Sequence, residues 1–174
     1  LAERFGVRLC QTYGEFEGSL ADAAANFGRA CDRVARSGLR LALGFLPWTN
    51  VPDALELVER ASRPNGGPCI DTWHPYRGAD DDALRRRIPA ERIVSIQIDD
   101  APRQPEAPTL LEDTMANRRV PGEGELPLPD FVGWLGSAGV AVPWSVEVIS
   151  DALRELPPRE AVPRMGEGAR AVLA

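Results

Sequence analysis

The sequence is short of the residues from which most metal and redox sites are built. It has one histidine, His74, and three cysteines, Cys10, Cys31 and Cys69, too far apart to form any C-x-x-C pair. Three reduced thiols are expected, in place of a disulfide or zinc framework. An excess of positive charge is also lacking, with 20 basic residues against 26 acidic ones. The net charge is −6 and the pI about 4.9, and the basic clusters Arg85-Arg86-Arg87 and Arg118-Arg119 are too short to make a face that neutralises phosphates, so nucleic acid is not an expected partner. No apolar run approaches the roughly 20 residues that cross a bilayer. The first residues, L-A-E-R-F-G-V-R, carry charge where a secretory signal would be apolar. These absences point to a cytoplasmic protein. The chain begins with Leu, so the sequence is expected to start inside a longer protein, with three strands missing on its N-terminal side.

What is present reads as one α/β domain over residues 1–174, with 44% hydrophobic and 26% charged residues. Strands are expected at 6–13, 39–46, 68–72, 93–98 and 142–149. A helix is expected from Ser19 to Gly38, with Leu20, Ala23, Ala24, Phe27, Ala30, Cys31 and Val34 on one face and Ser19 paired with Asp22 at its cap. Further helices are expected from Asn50 to Pro64, around Asp82–Arg87, over 128–138 and over 158–174, with a long Pro-rich loop after the fourth strand. Apolar strands alternating with helices argue for a parallel sheet covered by helices. Gly44, Asp71 and Gln97 recur at spacings of 27 and 26 residues, the period of one βα unit in a closed wheel. Such (β/α)₈ barrels take about 250 residues, so this chain reads as five of the eight units.

The strands place their polar residues at their C-terminal ends, which in a barrel form the catalytic face. Glu147 stands in the run V-E-V-I, which reads as buried, and a buried carboxylate needs a cation, a metal or a shifted pKa. Asp71 after Cys69-Ile70 poses the same problem, and Gln97 a milder one. His74 lies three residues after Asp71. Alone, an acid here reads more often as a helix cap or salt-bridge partner, Gln97 as a core polar with one hydrogen bond, and His74 as a structural histidine. Three on successive strand ends favour a site whose oxygen donors suit Mg²⁺ or Mn²⁺. In the loop N-R-R-V-P-G-E-G-E-L, residues 117–126, Arg118 offers a fixed positive charge for a carboxylate, phosphate or polyol oxygen.

The ordered motifs L-x-F-L-P-W, D-T-W-H, I-Q-I-x-D, N-R-R-V-P-G-E-G and S-V-E-V resemble the sugar phosphate isomerase/epimerase family, whose fold is a xylose-isomerase-like TIM barrel. The resemblance runs over essentially the whole chain and corresponds to the last five βα units. It implies a divalent metal, Mn²⁺ or Mg²⁺ before Co²⁺ or Zn²⁺, held by Asp71, Gln97 and Glu147. It also implies Glu147 as base, and His74 and Arg118 against the substrate, with His74 counted among the catalytic residues. Gln at the third ligand place resembles the 3-dehydroshikimate dehydratase branch. The departure is Gly44, where relatives carry a Glu that is both ligand and second base; Glu56 and Glu59 fall on the following helix, and Glu15 and Glu17 are remote. The implied function is a metal-dependent isomerase or epimerase on a sugar, sugar phosphate or polyol, working by proton abstraction beside a polarised carbonyl. The alternatives are a dehydratase on a 3-dehydroshikimate- or inosose-type substrate, and a catalytically impaired binding module. The expected partner is a small sugar or polyol, with no membrane partner, and homo-oligomers are compatible. A multi-zinc DNA-repair endonuclease of the same superfamily needs several histidines and is disfavoured by the single one.

Overall fold

The computed structural model describes residues 2–13, 18–44, 51–77 and 88–174. The helix expected at Asp82–Arg87, and Glu15 and Glu17, lie outside the described residues. Five strands form one parallel sheet in sequential order: β1 (Leu9–Tyr13), β2 (Arg40–Gly44), β3 (Gly66–Asp71), β4 (Ser95–Ile98) and β5 (Trp144–Val146). The sheet is a half-barrel of the expected type, with helices on its outer side. The helices are α1 (Ala2–Phe5), α2 (Leu20–Ala35), α3 (Val51–Ala61), α4 (Trp73–Arg77), α5 (Leu110–Ala116), α6 (Leu128–Ser137), α7 (Asp151–Arg154) and α8 (Pro158–Leu173).

Alternation along the strands sorts core from site. Leu41 and Leu43 of β2 face outward into a cluster with Phe27 and Cys31 of α2 and Leu57 and Val58 of α3. The start of α2 is fixed as its sequence suggests, with the Ser19 hydroxyl accepting from the Asp22 N–H at 3.1 Å. Ile70 of β3 and Ile96 of β4 pack outward against Phe131 and Leu135 of α6. A strand shows its alternate residues to the opposite face. Ala42 and Gly44, Cys69 and Asp71, Ser95 and Gln97 therefore look inward.

Two expectations change. The Pro-rich stretch after β4 contains helix α5, started by a capping box in which the Thr109 hydroxyl accepts from the Glu112 N–H and the Glu112 carboxylate accepts from the Thr109 N–H. The V-E-V-I run is not enclosed: among the described residues β5 has no strand beyond it, Val146 is 37% exposed, and the Glu147 side chain is 28% exposed. The hydropathy of that run is that of a barrel strand, while the exposure is that of a sheet edge. At the other edge, Cys10, Gln11 and Tyr13 of β1 line a groove of about 520 Å³ with Phe27 and Val34 of α2. No described helix is long and apolar enough to cross a membrane.

Candidate active site

Asp71 and Gln97 are register partners on β3 and β4, and the Glu147 N–H continues the next ladder by donating to the Ile98 carbonyl at 3.1 Å. This pairing brings three of the expected side chains to one end of the inner face. Asp71 is 2% exposed and Gln97 4%. One oxygen of Asp71 accepts the backbone N–H of Trp73 at 2.7 Å and of His74 at 3.3 Å, so the same carboxylate starts α4 and sets the position of His74. Both Asp71 and Gln97 are within hydrogen-bonding reach of the Glu147 carboxyl.

Arg118 lies beneath these groups, 2% exposed, with its donors directed onto the protein. Its Nη1 donates to Asp71 Oδ2 at 2.8 Å and Asp99 Oδ2 at 2.6 Å, and stands 3.4 Å from Glu147 Oε2. Nε and Nη2 donate to the Thr114 hydroxyl of α5 at 3.1 and 2.6 Å. Nη2 is 3.3 Å from Nε2 of the buried His74. The guanidinium also lies 5.4 Å from the centre of the Trp73 ring. Its position depends on the glycines of its loop. The Asp100 carboxylate accepts the backbone N–H groups of Ala101, Gly122, Gly124 and Leu126 at 2.8–3.0 Å, and Asp100 and Arg119 exchange backbone hydrogen bonds, which turns Arg118 inward.

The electrostatics follow from burial. Burial pushes the Glu147 carboxyl up, the Asp71 charge adds to it, and the group reaches about 7 against the partial relief of Arg118. Burial also raises Asp71, but His74, Arg118 and the hydrogen bonds outweigh it and hold that carboxyl below its usual range. Of the two facing carboxyls, Asp71 is the ionised one and Glu147 holds the proton near neutrality. Asp99, fully buried and bonded to the Thr72 hydroxyl at 2.5 Å, is raised by burial and by the Asp71 charge.

Two residues of β1 complete the wall. Gln11 Nε2 donates to Gln97 Oε1 at 2.9 Å, and Gln97 Nε2 donates to Gln11 Oε1 at 2.8 Å. The Tyr13 hydroxyl is raised by burial and then by the charges of Glu147 and Asp71. Sequence reasoning missed Gln11 and Tyr13 as site residues, and put Asp99 at a strand end on the catalytic face without giving it a role. The alternation L-C-Q-T-Y and the pair D-D after I-Q-I carried a signal, since every second residue of an inner-facing strand belongs to the same wall. Glu56 lies away from the site, bonded to Arg60 on α3 at 2.8 Å.

Among the described residues no three His, Cys, Asp or Glu side chains stand together at metal-ligand spacing. The donor set is instead two carboxylates, Asp71 and Glu147, with the amide of Gln97 between them. This set fits a hard divalent ion: two adjoining carboxyls, one forced to keep its proton, are relieved by a dication between them, and an amide oxygen is a ligand of the same type.

The family model described as xylose isomerase-like TIM barrel matches residues 1–171. The chain is similar to 3-dehydroshikimate dehydratases of Pseudomonas putida (28% identity over 82% of this chain and 22% of that protein) and Pseudomonas aeruginosa (31% identity over 82% and 23%). It thus spans about a fifth to a quarter of the length of these relatives. Among solved structures, the IOLI protein with a bound zinc atom matches at a TM-score of 0.85 and 20% identity over 99% of this chain and 65% of that one. A D-psicose 3-epimerase from Clostridium cellulolyticum H10, solved with D-tagatose, matches at a TM-score of 0.72 and 13% identity over 99% and 66%. Both structures support the fold.

Proposed function

The chain belongs to the xylose isomerase-like TIM barrel family, and on that premise we propose that its strand-end cluster is the wall of a dehydratase site for a cyclic polyhydroxylated ketone of the 3-dehydroshikimate type. The observation that carries this reading is the asymmetry across the cluster. Glu147, with its carboxyl near 7, is poised to exchange a proton, whereas Gly44 and the neutral amide of Gln11 occupy the place where a second carboxylate would stand. Loss of water beside a carbonyl needs one such group, because the base that removes the carbon-bound proton can return it to the departing hydroxyl. Inversion at carbon by a two-base route needs a second acid on the opposite face. The epimerase reading uses the same base and finds no such partner among the described residues. The two dehydratase relatives support the same choice.

In this reading the ionised fraction of Glu147 takes the proton from the carbon beside the carbonyl, and the C–H electron pair becomes the enolate double bond. That pair then expels the hydroxyl on the next carbon, and the proton on Glu147 leaves with it as water. Asp71 stays ionised under Arg118 and the N–H groups of Trp73 and His74, and the Gln97 amide favours the charged form of Glu147. His74 lines the wall against the substrate hydroxyls. Arg118 holds Asp71, Asp99 and Glu147 in place, and acts on the substrate through them. Asp71, Gln97 and Glu147 would hold Mn²⁺ or Mg²⁺, which supplies Lewis acidity at the carbonyl and adjacent hydroxyl oxygens when bound.

The test is a pair of assays on the purified chain with Mn²⁺: the ultraviolet absorbance of the conjugated product from 3-dehydroshikimate, and deuterium uptake from D₂O into a ketohexose. Dehydration that falls about 10²–10⁴-fold in Glu147→Gln supports the reading. Deuterium uptake without dehydration overturns it in favour of an epimerase, and activity indifferent to Glu147→Gln removes Glu147 as the base.

A further inference from the structure

Gln11 occupies the space that a side chain at position 44 would enter. β2 turns Ala42 and Gly44 to the inner face, so only a methyl group and a hydrogen stand between β1 and the Asp71–Gln97 pair. Gln11 reaches across that gap to Gln97, 86 residues away in sequence, through two reciprocal amide hydrogen bonds of 2.8 and 2.9 Å. A Cβ built on Gly44 would lie 2.9 Å from Gln11 Nε2 and 3.3 Å from Tyr13 Cδ1. A longer side chain at 44 and the present course of Gln11 therefore exclude each other. The exchange is chemical as well as steric, because an amide brings an oxygen donor without a charge or a titratable proton. The Gln11–Gln97 pairing also ties a second amide oxygen to the register partner of Asp71, each oxygen satisfied by the other's N–H, in a form that opens without leaving a charge uncompensated.

We propose that Gln11 is a fourth donor residue of the site, giving its amide oxygen to the divalent ion that Asp71, Gln97 and Glu147 hold. The proposal rests on the metal-binding reading above. Binding exchanges the Gln11–Gln97 amide pairing for coordination, and the site carries one carboxylate fewer than a site with Glu at 44. Ligand charge count tunes affinity for hard cations, so placing a carboxylate at position 11 raises the affinity.

The experiment is calorimetric titration of Mn²⁺ into the wild-type chain, Gln11→Ala, Gln11→Glu, Gly44→Glu, Gly44→Glu with Gln11→Ala, and Asp71→Asn, with thermal unfolding of each as a check on folding. The expected results are one Mn²⁺ per chain in the wild type and no binding in Asp71→Asn. Binding is expected to weaken about tenfold or more in Gln11→Ala and to tighten about tenfold in Gln11→Glu. Gly44→Glu is expected to improve binding only when Gln11 is also replaced. Wild-type affinity in both Gln11→Ala and Gln11→Glu, with Asp71→Asn silent, overturns the role of Gln11 and leaves the metal reading standing. Absence of binding in the wild type and every variant overturns the metal reading, and this proposal with it.

Discussion

The carboxylate of Asp100 lies where a side chain at Gly124 would have to be: a Cβ there would sit 2.3 Å from Asp100 Oδ1 and 2.6 Å from the Ala101 nitrogen. The loop that delivers Arg118 is thus wound around an acid, and glycine at 124 is the condition for the wrap. Gly124→Ala is predicted to destabilise the chain by roughly 2–4 kcal/mol, the range for breaking a buried hydrogen-bond network. Gly133 of α6 is the control, since its Cβ would meet nothing within 4 Å. Gly133→Ala is predicted to stabilise by roughly 0.5–1 kcal/mol. Urea unfolding of the two variants checks both signs.

Arg118 is the cation shared by Asp71, Asp99 and Glu147. Arg118→Met leaves buried carboxyls without it and is predicted to cost roughly 3–5 kcal/mol near pH 8. The cost shrinks toward pH 5, where those carboxyls take up protons at little expense. Arg118→Lys recovers part of the charge but not the fork that bonds the Thr114 hydroxyl and the carboxylates together. Denaturant midpoints across pH, read in chelator, give the comparison.

Glu147 predicts a pH slope of the opposite sense to ordinary carboxylates. Its carboxyl is raised from 4.5 to about 7 in the folded chain, so the folded state binds more protons than the unfolded state between those values. The stabilisation is complete below about 4.5 and is lost as pH rises through about 7, by roughly 2–3 kcal/mol after allowance for partial exposure. Glu147→Gln is expected to remove this slope. Thermal melts of the metal-free chain between pH 5 and 8.5 measure it, and a wild-type slope unchanged in the variant would sink the assignment.

Mn²⁺ acts on the same pair of carboxyls. Added Mn²⁺ is predicted to raise the melting temperature more at pH 8 than at pH 5.5, because the ion must displace the Glu147 proton at the lower pH. An increment independent of pH between these values would place the ion elsewhere.

The five strands and the polar ends of three of them were legible because a barrel strand advertises itself twice, by its apolar outward residues and by the period of its βα unit. Asp71, Gln97 and Glu147 could be picked out because each interrupts an apolar run. The partners of those residues were not legible. Asp99 and Asp100 are consecutive and chemically identical, yet one turns inward to Arg118 and the other outward to the loop amides, a division made by strand alternation and by the bridge to Arg119. Gln11 meets Gln97 only because the sheet curves and β2 is bare between them. α5 was hidden by the prolines around it, although T-L-L-E spells its cap.

The cysteines, unremarkable as chemistry, differ sharply in access. Cys31 and Cys69 are buried, with thiols raised by burial, Cys69 to about 12, whereas Cys10 is exposed on the free edge of β1, next in sequence to Gln11. Approach favours Cys10, and burial holds the other two thiols protonated. A single maleimide dye would therefore attach at one known place, in the groove beside Phe27 and Val34. Its emission would report whatever comes to rest along that edge.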